Sequence, residues 1–336
     1  MKTVIIFGAT GTVGAYASLH FKELGYKVIA VGNRKSDNGF FADYGISYYS
    51  VDVRHRSDFD MLPQKKIDVI VDLAGLLPAR MKGYQPQEYI DINITGALNV
   101  LDYSVKVCAR KFIYSQSISD VAYLTGNTTP ILPDAESRFP LNNDHSIYSI
   151  TKNAAVGMII HYASKFNFEY YILRFPNIYL YHPNPKYYVD GIEKWQGYRL
   201  MIMRAQKGET LSVWGNPNKV RDIVYVKDCC QIIEKCVSSP KAISGTYNVG
   251  TGIGVSIEQQ VKGIAEVFAP KGKTIEIIYE PTKPDTPEYI LDVSKTEKNL
   301  GYKMEYDYMA YLRDFKREFE KQTFVKLWGT DQSGLI

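Results

Sequence analysis

The stretch Thr3-Val4-Ile5-Ile6-Phe7-Gly8-Ala9-Thr10-Gly11-Thr12-Val13-Gly14 decides the fold. Its first five residues read as a strand covered on both faces, because the apolar run does not alternate with polar residues. Gly8, Gly11 and Gly14 then lead into a helix read over residues 13–24. Glycines at this spacing permit a tight turn, close approach of backbone to a pyrophosphate, and close packing of helix on strand. A glycine-rich turn alone is weak evidence, but placed between a clean strand and a helix it predicts a dinucleotide site that includes Thr12 and Val13.

Working outward, further apolar runs at 27–31, 69–73, 112–115 and 170–175 read as strands, and 88–107 and 147–166 read as helices. Strands alternating with helices predict an α/β fold with a parallel sheet. After Pro176 the texture changes: residues 184–197 are rich in Pro, Tyr and Gly, and 207–219 are turn-rich, as in loops that shape a binding site. Residues 221–226 and 245–249 look sheet-like again. The expected organisation is therefore a dinucleotide-binding domain at 1–176 with 221–256 returning to it, and a smaller α/β substrate domain built from 177–220 and 257–330. Residues 329–336 lack periodicity and are expected to be a mobile tail or a partner contact.

The chain of 336 residues is 45% hydrophobic and 23% charged, with a net charge of +4. Its basic residues are scattered, so neither a nucleic acid nor a membrane surface is expected as a partner. Cys108, Cys229, Cys230 and Cys236 lack the paired spacing of a zinc site, so no metal is expected and the thiols read as reduced, in a cytoplasmic protein. The N-terminal apolar run ends at Phe7 in a glycine turn, unlike a signal peptide, and no stretch is long enough to span a bilayer.

The second strand ends Val31-Gly32-Asn33-Arg34-Lys35-Ser36, without the acid that would accept hydrogen bonds from the ribose 2′-hydroxyl of NAD. Asn33, Arg34 and Lys35 offer a 2′-phosphate a guanidinium and an ammonium instead, so NADP(H) is expected over NAD(H). The alternative is a solvated basic loop.

Tyr148-Ser149-Ile150-Thr151-Lys152 sets a phenol and an ammonium one helical turn apart. A cation beside the phenol would favour its ionised form, giving an acid/base group for a sugar hydroxyl. Upstream, Phe112-Ile113-Tyr114-Ser115-Gln116-Ser117 ends a strand, and Ser117 could bond the same substrate oxygen. With these residues the chain resembles the extended short-chain dehydrogenase/reductases, the NAD-dependent epimerase/dehydratase family, whose members include nucleotide-sugar 4-epimerases, dehydratases and 4-keto reductases. Other stretches carry the resemblance across nearly the whole chain. They are Asp52-Val53, Leu73-Ala74-Gly75, Asn93 with Thr95-Gly96-Ala97, Leu173-Arg174-Phe175-Pro176-Asn177, Arg221-Asp222-Ile223-Val224-Tyr225-Val226-Lys227-Asp228 and Tyr247-Asn248-Val249-Gly250.

The resemblance implies a Rossmann doubly wound parallel sheet with a small C-terminal substrate domain. It places Asp52 and Val53 at the adenine, and Leu73, Ala74, Gly75, Asn93, Ser115, Lys152 and Phe175 along the dinucleotide. It makes Tyr148 the acid/base with Ser117 and Lys152, and brings Asn177 and Arg221 to a nucleotide-diphosphate sugar. Lys283 lies near where the family often has an arginine for the diphosphate, and a homodimer is possible. Dehydratases carry an Asp-Glu pair after the catalytic hydroxyl residue; here Ile118-Ser119-Asp120 follows Ser117, which disfavours dehydration. Members that epimerise and then reduce have a cysteine where this chain has Ser119 and a histidine where it has His182, which makes His182 a second acid/base candidate. The expected activity is NADPH-dependent reduction of a 4-keto nucleotide sugar. The alternatives are 4-epimerisation and, in another class, a non-catalytic NADP(H) sensor.

Overall fold

The structure is a computed structural model and describes residues 1–143, 145–189 and 191–332. Seven strands form one parallel sheet: β1 (Thr3–Phe7), β2 (Lys27–Gly32), β3 (Ser47–Ser50), β4 (Val69–Asp72), β5 (Lys111–Ser117), β6 (Glu169–Phe175) and β7 (Gly245–Asn248), in the order β7-β6-β5-β4-β1-β2-β3. The chain starts at the middle of this sheet, runs to one edge and returns to build the other half. The reversal between β1 and β4 opens a crevice at the carboxyl ends of the strands, which is the doubly wound arrangement expected.

Side chains of β1 alternate between two cores. Val4 and Ile6 face α1 (Thr12–Glu23), while Ile5 and Phe7 face α2 (Ala97–Lys106) and α3 (His145–Phe166). Both faces are dry, which is why the strand reads as an unbroken apolar run. β3 was not legible in the sequence, because Ser-Tyr-Tyr-Ser lies at an edge and is only half-buried.

The helix expected over 88–107 is interrupted. A short turn, Pro86–Tyr89, leads into a π-helical turn, Ile90–Gly96, and only then into α2. Asn93 points inward there, taking the Leu76 N–H at 2.8 Å and donating to the Thr151 hydroxyl at 3.1 Å. Widening the helix by one residue per turn admits this side chain, at a place where a Cβ on Gly96 would stand 2.7 Å from the Val53 side chain.

The second lobe packs α4 (Gly197–Lys207), α6 (Ile257–Phe268) and α7 (Tyr308–Lys321) beside a parallel ribbon of Leu211–Trp214 and Ile277–Glu280; α5 (Val226–Ser238) lies against α1. Residues 245–248 do return to the main sheet, as β7. Residues 221–226 do not: Val220–Asp222 pairs antiparallel with Gly254–Ser256, and Val224–Tyr225 pairs with Ile178–Tyr179.

After α7 the chain crosses back through α8 (Val325–Trp328). Phe324 packs on Tyr16 and Phe40, with ring centroids 4.4 and 5.6 Å apart, and Trp328 is buried. The expected loose tail is therefore tied down as far as it is described: Asp331 is buried and meets the Arg199 guanidinium at 3.5 Å. Positions 333–336 lie outside the described residues. No helix among the described residues is long and apolar enough to cross a membrane, and no group of metal-ligating side chains occurs among them.

Candidate active site

The crevice is a cleft of about 700 Å³ at the ends of β1, β4, β5 and β6. Gly8 takes a left-handed φ of 75°, and a Cβ there would meet the Leu73 carbonyl at 2.7 Å; one on Gly14 would overlap the Gly8 carbonyl oxygen. Only glycine lets the turn, β4 and α1 approach this closely. The residues that open α1, Thr12 to Gly14, line the cleft, and N-cap Gly11 offers no side chain to their N–H groups. These features fit a dinucleotide pyrophosphate.

Of the predicted cofactor residues, Gly8, Gly11, Thr12, Val13, Gly14, Asn33, Arg34, Asp52, Val53, Leu73, Ala74, Gly75, Ser115, Tyr148, Lys152 and Phe175 all line the cleft. Lys35 and Asn93 do not. Lys35 is exposed, and Asn93 acts one layer back by pinning the loop after β4 to α3. The Asp52 carboxylate is occupied by Arg54, at 2.6 Å, which holds it below its ordinary range. Of this pair the sequence pointed only to Asp52.

The Arg34 guanidinium lines the cleft and also donates to the Leu327 carbonyl of α8. Around it, Asn38 donates to the Lys326 carbonyl at 2.9 Å and Trp328 donates its indole N–H to the Thr10 carbonyl at 3.0 Å. The C-terminal segment thus forms a strap over the glycine-rich turn. Gly32 has its own steric reason: a Cβ there would come within 2.6 Å of the Thr10 hydroxyl. The nearby acid, Asp37, is committed to the N–H groups of Gly39 and Phe41.

Ser117 at the end of β5 and Tyr148 and Lys152 on α3 meet at the floor of the cleft. Burial pushes the Tyr148 phenol up to about 12, opposed by a hydrogen bond with Ser117 and reinforced by the charge of Asp120. The Ser117 oxygen accepts the Ser119 N–H at 3.2 Å, so its own proton is available to the phenol. The cation expected to favour the phenolate faces elsewhere. Lys152 Nζ lies 4.0 Å over the Tyr114 ring and 3.5 Å from the Ser115 hydroxyl. Asp120 is held by the Arg174 guanidinium at 2.9 to 3.1 Å, both side chains being buried, which leaves it no part in proton transfer.

Asn177 and His182 line the substrate side, with Arg80, Tyr187, Gln196 and Tyr198, which the sequence did not single out. His182 is neutral: burial, then the charge of Arg80, lowers it to about 3. Its Nδ1 accepts the Asn184 N–H at 3.0 Å, which puts the ring proton on Nε2. It can donate a hydrogen bond from Nε2. Arg221 and Lys283 lie outside the cleft, Arg221 against the Pro287 carbonyl and the Tyr289 ring, Lys283 over Trp214.

The NAD dependent epimerase/dehydratase family signature matches residues 4–250. The chain belongs to this family. It is 26% identical over 326 residues to a UDP-glucose 4-epimerase of Bacillus subtilis, covering 89% of this chain and 91% of that one. Its fold is that of the UDP-glucose 4-epimerase of Thermotoga maritima, with a TM-score of 0.74, 22% identity and coverage of 95% and 99%. It is likewise that of the UDP-glucuronic acid 4-epimerase of Bacillus cereus, solved with NAD, with a TM-score of 0.70, 18% identity and coverage of 94% and 99%.

Proposed function

We propose that this family member is a UDP-sugar 4-epimerase that keeps NAD(H) bound between turnovers. The observation that carries the choice is the strap: Trp328 bonded to the Thr10 carbonyl and Arg34 to the Leu327 carbonyl close the C-terminal segment over the glycine-rich turn. An epimerase regenerates its cofactor within each cycle and gains from holding it, whereas a reductase must release the spent dinucleotide every time. The expected preference for NADPH rested on the missing acid at Gly32 and on Arg34 and Lys35; the Arg34 guanidinium gives one of its N–H donors to the Leu327 carbonyl, which ties it to the strap. The names of the relatives, 4-epimerases of UDP-sugars, support the same reading.

NAD supplies reversible hydride transfer at C4 of the sugar. The turn at Gly8, Gly11 and Gly14 would hold the pyrophosphate at the N-terminus of α1, and Lys152 and Ser115 would bind the nicotinamide ribose. Tyr148 takes the proton of the C4 hydroxyl as it becomes a carbonyl and returns it when the other face is reduced, with the Ser117 hydroxyl donating to the same oxygen. A phenol at about 12 is a proton donor; as a base it would require the positive charge that oxidised cofactor would bring. Asn177 and the neutral His182 are donors for the nucleotide end of the substrate.

Incubating catalytic amounts of the protein with UDP-glucose, UDP-galactose and UDP-glucuronic acid, with no added dinucleotide, tests the reading. Interconversion of C4 epimers is expected, with NAD recovered from the denatured protein. Consumption of NADPH by a 4-keto sugar without any epimer formation would replace it with the reductase reading.

A further inference from the structure

Lys152 is a buried ammonium with little to hold its charge. It is 3% exposed; among the described residues its hydrogen bond to the Ser115 hydroxyl is long at 3.5 Å, and Nζ lies over the face of Tyr114 at 4.0 Å and beside Gly75. An ammonium so placed tends to shed its proton, because the neutral amine is far cheaper to bury. Asp72 supplies an opposite charge from the adjacent strand. It is the last residue of β4, 1% exposed, and paired in register with Tyr114 of β5, so its carboxylate lies one strand from the ring that underlies Nζ.

We propose that Asp72 is a positioning residue, the buried counter-ion that keeps Lys152 charged one helical turn from Tyr148. The proposal rests on the reading of Tyr148 and Lys152 as the reacting pair. Asp72 is not consumed by its local contacts: Oδ1 accepts the Ala74 N–H at 3.1 Å, which orients the carboxylate but leaves its charge in place. Among the described residues, the other groups named against the pair are uncharged apart from Asp120, whose charge is paired with Arg174. Tyr114 and Ser115 come from β5, Tyr148 from α3, and Tyr89 and Asn93 from the turns before α2; Asp120 faces Tyr148 and is neutralised by Arg174. Burial raises the Asp72 carboxyl and lowers the Lys152 ammonium, and each draws the other back toward its charged form.

Asp72→Asn keeps an oxygen for the Ala74 N–H and removes only the charge. In the holoprotein labelled with carbon-13 at the lysine ε carbon, the Lys152 signal is assigned by its loss in Lys152→Arg and then titrated. In Asp72→Asn it should lose its proton at least about one pH unit lower than in the native protein. The alkaline limb of kcat/KM should move down with it, while KM for the UDP-sugar at the optimum is unchanged. An unchanged Lys152 midpoint overturns the proposal whatever turnover does. A shifted midpoint in a protein that, native or variant, turns over no UDP-sugar upholds the counter-ion and overturns the epimerase reading. Should Asp72→Asn fail to fold, the pair is read from the other end: in Lys152→Met the Asp72 carboxyl, followed by labelled aspartate, should bind its proton at higher pH than in the native protein. The same midpoint in both would overturn the proposal.

Discussion

In the proposed reaction Tyr148 moves the proton, and its phenol has a hydrogen-bond partner in Ser117. Tyr148→Phe removes the proton and little else, since the ring is buried beside Tyr89. Turnover should fall about a hundredfold or more, the scale of a lost acid/base group, while NAD affinity by calorimetry stays within error. Retained turnover would mean that another group moves the proton. Arg34 belongs to the same scale. Because its partner is the Leu327 carbonyl, Arg34→Ala should weaken NADH and NADPH binding alike by loosening α8. A selective loss of NADPH binding would restore the 2′-phosphate reading. His182 gives a pH signature. Its imidazole is lowered from 6.5 to about 3, so below pH 6.5 the unfolded chain takes up a proton that the folded chain refuses. The neutral ring therefore contributes stability above that pH that is lost as pH falls through the window, at most about 2 kcal/mol by pH 5. Urea melts at pH 7 and pH 5 should show a smaller drop for His182→Gln than for the native protein, and parallel drops would contradict this.

At the scale of elements, the β5–β6 ladder sets the floor of the site. Register pairs Gln116 with Arg174 and Ser117 with Phe175. The Arg174 guanidinium then reaches over to Asp120 and to the Leu132 and Pro133 carbonyls, fixing the segment that follows Ser117. Removing Asp120 would leave a buried guanidinium uncompensated. Asp120→Ala should cost about 3–5 kcal/mol in urea unfolding, with Ser117 displaced and turnover reduced; a cost under about 1 kcal/mol would show that the pair does not secure the floor. The motif carrying Arg174 and Asn177 was legible as a motif, but its division of labour was not. Arg174 is structural, bonded within the fold from β6, and Asn177, two residues past the end of that strand, lines the cleft. The π-helical turn was likewise hidden, since the pattern over 88–107 is helical and only the inward pull on Asn93 by Leu76 and Thr151 widens it.

Across the whole molecule, the strap joins the two lobes over the glycine-rich turn. Trp328 stacks on Phe324 at 4.3 Å, lies 4.6 Å from the His182 ring and bonds to the Thr10 carbonyl. Trp328→Phe keeps the ring but orphans that carbonyl, at a cost of about 1–3 kcal/mol. NAD should dissociate roughly tenfold faster or more in stopped-flow fluorescence, and epimerisation should come to depend on added NAD. Unaltered dissociation would remove the strap from the retention argument. The sequence by itself determined the alternation of strands and helices, the dinucleotide turn and the placing of Tyr148 and Lys152 on one helix, because these depend on local spacing: glycines where backbone must approach backbone, and two side chains one helical turn apart. Only the tertiary structure decided what Arg34, Asp72, His182 and the last turn do. Their partners are Leu327, Lys152, Trp328 and Thr10, and a side chain's charge or free donor is settled by whichever group the fold brings against it, however far away that group lies along the chain.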